Sequence, residues 1–184
     1  MPTYKEALNI NEHYAIDNNK EDSAIKRLLL HFSNMDSSEL LLNLNEEMPE
    51  ELYNDFLYGV DRFVIQNIPV QHIIGYEYFF GYEFIVNSDV LIPRFETEEL
   101  VANVLEQYDD VFNGTNVDVV DIGTGSGCLA VTLSVEEKGM NVIATDISEK
   151  ALDVAKQNND KLGGRVTFYQ GDMLEPVKAM KFDI

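Results

Sequence analysis

The sequence predicts an α/β protein: an N-terminal helical bundle, a β-hairpin linker, and then the first half of a Rossmann-like domain. Three observations predict it. Leucines and phenylalanines recur at helical spacing behind capping residues through the first third of the chain. Two aromatic runs flank Gly81, and a β-branched run at Val117 to Ile122 passes directly into a glycine-rich turn. The boundaries expected on this basis are a helical domain at 1–68, a hairpin linker at 69–92 and a partial α/β domain at 93–184.

From Tyr4 to about Asn67 the chain reads as helices. Leu28, Leu29, Leu30 and Phe32 follow Asp22-Ser23, and Leu40, Leu41, Leu42 and Leu44 follow Asp36-Ser37-Ser38; both acidic-serine pairs are capping signals. A third helix has Pro49 near its start and an apolar face of Leu52, Phe56, Leu57, Val60, Phe63 and Val64. His13 and His31 have no neighbours at metal-ligand spacing, so no metal site is expected.

Pro69 closes the helical region. Tyr76 to Phe80 and Tyr82 to Val86 alternate around Gly81 and predict a hairpin. Val90-Leu91-Ile92 then reads as a short strand, followed by a turn at Pro93-Arg94 and a helix running to about Phe112, with Thr97 or Glu96 as its cap. A turn facing a glycine loop is also where a cleft forms, which makes Arg94 and Thr97 pocket candidates.

Val117-Asp-Val-Val-Asp-Ile-Gly-Thr-Gly-Ser-Gly-Cys128 predicts strand, tight loop and helix start. Glycines let the backbone approach a ligand closely, and the helix start offers unpaired N–H groups. Gly123 and Gly125 satisfy the first two positions of a dinucleotide fingerprint, but Cys128 stands at the third, and no Gly-Lys-Ser/Thr follows. Asp121 at the strand end would repel a pyrophosphate and suits a ligand carrying an ammonium and a sulfonium. S-adenosyl-L-methionine is such a ligand, with Gly123, Thr124, Gly125, Ser126 and Gly127 as its loop. Asn141 to Thr145 predicts a second buried strand ending in Asp146, nineteen positions after Gly127. An acid there can accept bonds from both ribose hydroxyls, or cap the helix that begins near Ser148. A third strand, Arg165 to Gln170, leads to Gly171-Asp172-Met173, where Asp172 and Met173 could meet an adenine amine and ring face. Phe182-Asp183-Ile184 reads as the opening of a fourth strand, leaving half a sheet and an exposed edge on the first strand. The expectation is a piece of a longer protein.

Thirty-three acidic against thirteen basic residues give a formal charge of −20, which argues against a phosphate backbone as the main partner. With 45% apolar content, no secretory leader near Met1 and no apolar run approaching the roughly 18 residues that span a bilayer, a soluble cytoplasmic protein without a membrane partner is expected. The single cysteine, Cys128, is read as a packed small residue and not a nucleophile.

Pro69-Val-Gln-His-Ile-Ile-Gly75, the aromatic hairpin, Leu91-Ile-Pro-Arg-Phe-Glu-Thr-Glu98 and Asp121-Ile-Gly-Thr-Gly-Ser-Gly127 resemble, in order and spacing, the HemK/PrmC family over nearly the whole chain. That resemblance implies an S-adenosylmethionine-dependent methyltransferase acting on the glutamine of the Gly-Gly-Gln motif in peptide chain release factors, with an N-terminal helical domain for its protein substrate. It places the cofactor loop on Gly123 to Gly127, the ribose acid on Asp146 and the adenine side on Met173 beside Asp172. Phe95 stands where the family has proline. The family's catalytic Asn-Pro-Pro-Tyr follows the fourth strand, so no catalytic residue is expected within this chain, which is read as inactive alone. Two other readings are a DNA or RNA adenine methyltransferase, disfavoured by charge, and a non-catalytic protein-interaction fragment working through the helical bundle.

Overall fold

Five helices make up the first of the two units, Met1–Ile74 and Gly75–Ile184, into which the computed structural model of residues 1–184 divides. Helix α1 (Tyr4–Asp17) starts at a capping box: Thr3 Oγ1 accepts the Glu6 N–H at 3.2 Å while Glu6 Oε2 accepts the Thr3 N–H at 2.9 Å. Asp36 and Glu39 repeat the arrangement at α3 (Ser37–Asn43), and Asp22 caps α2 (Ser23–Ser33), so both sequence-expected caps form. Helix α4 (Glu50–Val64) follows Pro49, and Pro69 does not close the helical region as expected: its carbonyl accepts the His72 and Ile73 N–H groups and starts a short helix, α5 (Val70–Ile74), so the first unit ends at Ile74 and not at 68. Helices α2 and α4 pack together, with Ile25, Leu28 and Leu29 of the first and Phe56 and Val60 of the second all buried, and Phe32 lies on Gly59, where a Cβ would have no room. Of the leucines in α3 only Leu40 is buried; Leu41 and Leu42 face solvent.

The second unit opens with the expected hairpin. Strands β1 (Tyr76–Phe79) and β2 (Tyr82–Ile85) are antiparallel, and the two-residue turn places Phe80 (φ 51°) and Gly81 (φ 80°) in the left-handed region that matches strand twist. Phe79 and Phe84 turn inward and meet edge to face at 5.8 Å. Their neighbours in the core include Val101, Val119 and Leu133.

The expected strand at Val90 to Ile92 does not form. That stretch is irregular, with Leu91 exposed, because no sheet edge lies beside it to take its backbone bonds. Helix α6 (Phe95–Gln107) starts at Arg94 with no side-chain cap, so neither Thr97 nor Glu96 caps it, and its last turn loosens into a π-helical turn at Tyr108–Phe112. Strand β3 (Val117–Ile122), helix α7 (Cys128–Glu136), β4 (Met140–Asp146), α8 (Glu149–Leu162) and β5 (Thr167–Gln170) build a parallel sheet of order β3-β4-β5, followed by a 3₁₀ turn at Glu175–Val177.

Strand β5 starts later than the expected Arg165. Side chains claim the first two N–H groups: Arg165 N–H bonds to Ser134 Oγ and Val166 N–H to Asn159 Oδ1. The Arg165 guanidinium meanwhile donates to the carbonyls of Ser134, Glu137 and Lys138 at the end of α7, which suits its charge to the negative helix terminus. Phe182 to Ile184 does not make a strand, yet it lies along the free edge of β3. Asp183 N–H bonds to Asp118 O at 2.8 Å and Val120 N–H to Ile184 O at 3.0 Å, so part of the edge expected to stand unpaired is filled. No helix is long and apolar enough to cross a membrane.

Candidate functional site

The site forms where β3, β4 and β5 end, the edge of an open parallel sheet at which ligands bind. Strand β3 delivers Asp121, and the chain then turns three times through left-handed glycines, Gly123 (φ 76°), Gly125 (φ 57°) and Gly127 (φ 80°), before α7 begins. The turn is tied to β4. Gly123 N–H and Thr124 N–H both bond to Thr145 O, at 2.8 and 3.0 Å, and Gly125 N–H bonds to Asp146 Oδ2 at 2.9 Å. Gly127 has a packing role as well: a Cβ there would lie 3.0 Å from the Cβ of Ala155.

Asp121 is partly buried, and burial pushes its carboxyl above the usual carboxylate range; the Thr124 hydroxyl and Ala130 N–H oppose the shift, and the charge of Asp146 adds to it. Thr124 Oγ1 donates to Asp121 Oδ2 at 2.7 Å. A carboxylate in that setting gains from a cationic ligand, which restores the favourable environment that burial removes. The cleft beside it encloses about 180 Å³. Asp121, Gly123, Thr124, Gly125 and Ser126 line one side, and Arg94, Thr97 and the Leu91 to Pro93 stretch line the other. The turn before α6 and the glycine loop thus line one cleft, while the alternative reading of Thr97 or Glu96 as the helix cap is not what forms.

Asp146, Asp172, Met173 and Gly127 lie outside that wall. Asp146 links to it through Gly125, while its Oδ1 accepts the Ser148 N–H at 2.9 Å. The cap of α8 is Ser148, whose hydroxyl accepts the Ala151 N–H, so Asp146 is free of that duty. Met173 has φ 48° and is exposed, and its carbonyl accepts the buried Thr145 hydroxyl at 3.2 Å, which sets the loop carrying Asp172 against the end of β4.

Sequence reasoning missed three contributors. Cys128 and Leu129 complete the cleft lining, and burial pushes the Cys128 thiol up to about 11. Asn158 of α8, wholly buried, bonds to the Ser126 carbonyl at 2.9 Å. A polar residue on the buried face of a helix was the available signal.

Residues 7–75 match the family described as PrmC N-terminal domain, and residues 96–184 match the methyltransferase small domain. The chain is 48% identical over 186 residues to the release factor glutamine methyltransferase of Bacillus subtilis (strain 168), covering 98% of this chain and 63% of that protein. It is 42% identical to the protein of the same name from Bacillus cereus, covering 93% and 60%, and 40% identical to that of Enterococcus faecalis, covering 98% and 64%. The chain therefore spans a little under two thirds of the length of these relatives.

Proposed function

The chain belongs to the HemK/PrmC family, a PrmC N-terminal domain followed by a methyltransferase small domain, and on that premise we propose that it supplies the cofactor half of a release factor glutamine methyltransferase. The cofactor is S-adenosyl-L-methionine and the target is the side-chain amide of the glutamine in the Gly-Gly-Gln motif of peptide chain release factors, a cytoplasmic step of translation termination. The observation that carries this reading is the pair of carboxylates at the glycine loop, Asp121 raised by burial and Asp146 braced on Gly125.

Bound here, the cofactor would supply an electrophilic methyl group on a sulfonium. Asp121 meets the ammonium end, and the Gly123 to Gly127 backbone allows close approach. Asp146 takes the ribose hydroxyls, Asp172 the adenine amine and Met173 the adenine face. Arg94 and Thr97 form the opposite wall. The helical unit, Met1–Ile74, which extends the expected 1–68 by the short helix α5, recognises the protein substrate, and the hairpin and irregular stretch after it lead to the cofactor-binding part, 93–184. The family's Asn-Pro-Pro-Tyr is not among the 184 residues, which bind the cofactor for the whole protein. The charge of −20 favours a protein over a nucleic-acid substrate.

The test is transfer of labelled methyl from S-adenosylmethionine by the whole protein that contains this chain, offered release factor and nucleic acid together. Label on the glutamine of the Gly-Gly-Gln peptide is the expected result. Label on nucleic acid, or none on the release factor, contradicts the proposal.

A further inference from the structure

Asn158 sits on α8 with no exposed surface, and its whole amide is engaged. Nδ2 donates to Ile85 O at 3.0 Å and to Ser126 O at 2.9 Å, while Oδ1 accepts the Ile85 N–H at 2.7 Å. Ile85 belongs to β2 of the hairpin and Ser126 to the glycine loop, so one side chain joins the two. Asparagine is a poor helix former, and packing alone would favour an apolar residue here. Two donors and one acceptor on a short stem are what the position uses, and asparagine carries that set.

The bond to Ser126 has a specific consequence. The peptide joining Ser126 to Gly127 is held at both ends: its C=O by Asn158, and its N–H by Thr124 O at 2.9 Å. That peptide runs from Ser126 to the left-handed Gly127 (φ 80°), a residue with no side chain to oppose rotation of the peptide plane on that side. Without the Asn158 donor the Ser126 carbonyl would be buried unpaired, and turning the peptide would relieve it. Ser126 lines the cleft, so such a turn would change the wall.

We propose that Asn158 is the positioning residue of the cofactor loop, fixing the Ser126–Gly127 peptide against the hairpin so that the loop holds its binding shape before ligand arrives. The inference rests on the cofactor assignment above. The hairpin has other anchors, Lys161 to Glu83 at 2.7 Å, the Tyr82 hydroxyl to Glu136 at 2.5 Å and the Phe80 N–H to Glu98 at 3.0 Å, so it stays docked when Asn158 is altered.

Asn158→Asp removes both donors at nearly constant shape, and Asn158→Ser shortens the side chain so that water can enter. Each variant of the full chain is titrated with S-adenosylhomocysteine at a temperature where circular dichroism shows it folded, and amide exchange is measured without ligand. We expect affinity to fall about tenfold, with faster exchange at Gly127 and Ile85 and unchanged exchange in β4. A purely structural role would lower the melting temperature and leave affinity alone. Folded variants with native affinity and native exchange overturn the proposal, as does failure of both variants to fold. If the native chain itself binds no S-adenosylhomocysteine, the cofactor assignment fails, while exchange at Gly127 still decides the positioning role: faster in the variants supports it, native-like overturns it.

Discussion

Asp146 Oδ2 accepts the Gly125 N–H at 2.9 Å, so the acid that ends the second parallel strand braces the loop that leaves the first. Its other oxygen is held by the Ser148 N–H at 2.9 Å. The carboxylate is therefore oriented by two backbone donors before any ligand is present, and each oxygen keeps a lone pair for a further bond.

Asp146→Ala should remove a ligand contact and loosen the loop together, lowering S-adenosylhomocysteine affinity by about tenfold or more. Asp146→Asn should lose nearly as much, because its NH₂ would face one of the two backbone donors. Calorimetry on both variants checks this; native affinity in Asp146→Asn would show that the charge and both acceptors are dispensable.

The sign of pH dependence follows from Asp121. Burial raises its folded pKa, so its contribution to stability is complete below the unfolded value and is lost as pH rises through the folded one. Asp121→Asn should accordingly raise the melting temperature of the ligand-free chain at neutral pH while weakening S-adenosylhomocysteine binding about tenfold or more. In the native chain, affinity should fall as pH drops through the region just above the ordinary carboxylate range, where Asp121 takes up its proton. A flat profile across that region would remove Asp121 from the ammonium site.

The three loop glycines should not respond alike to alanine. All have positive φ, which costs an L-residue about 1–2 kcal/mol. A Cβ at Gly123 or Gly125 meets nothing within 4 Å, whereas one at Gly127 lies 3.0 Å from Ala155 Cβ and 3.2 Å from Val131 Cγ2. Denaturant unfolding should place Gly127→Ala below Gly123→Ala in stability, by roughly a further 1 kcal/mol of overpacking. Equal losses would mean that α7 and α8 can part there freely.

Cys128 should behave as a protonated thiol. With its pKa pushed to about 11 by burial, it alkylates slowly at neutral pH, and S-adenosylhomocysteine should slow the reaction further because Cys128 lines the cleft. Timed mass spectrometry of iodoacetamide labelling checks both statements.

What could be seen in the sequence was whatever the backbone itself demands. The glycines at 123, 125 and 127 mark left-handed turns, and Asp22 and Asp36 mark helix starts, because those conformations restrict residue type locally. Val90 to Ile92 misled for the converse reason: β-branched character describes a residue's fit to a sheet, and no sheet edge runs there. Asn158 was invisible because its partners Ile85 and Ser126 lie 73 and 32 positions away, and only folding brings them together. Arg94 and Thr97 were placed near the cleft by chain order alone, since a turn facing a glycine loop is where a cleft forms, and local pattern pointed instead to a helix cap.

The most direct measurement is calorimetric titration of the 184-residue chain with S-adenosylhomocysteine at neutral pH, beside Asp146→Ala. Saturable binding at one ligand per chain, lost or strongly weakened in Asp146→Ala, is the predicted result. A folded chain that takes up no ligand, or binds it equally well without the Asp146 carboxylate, would contradict the assignment of this loop and its two acids as the cofactor site.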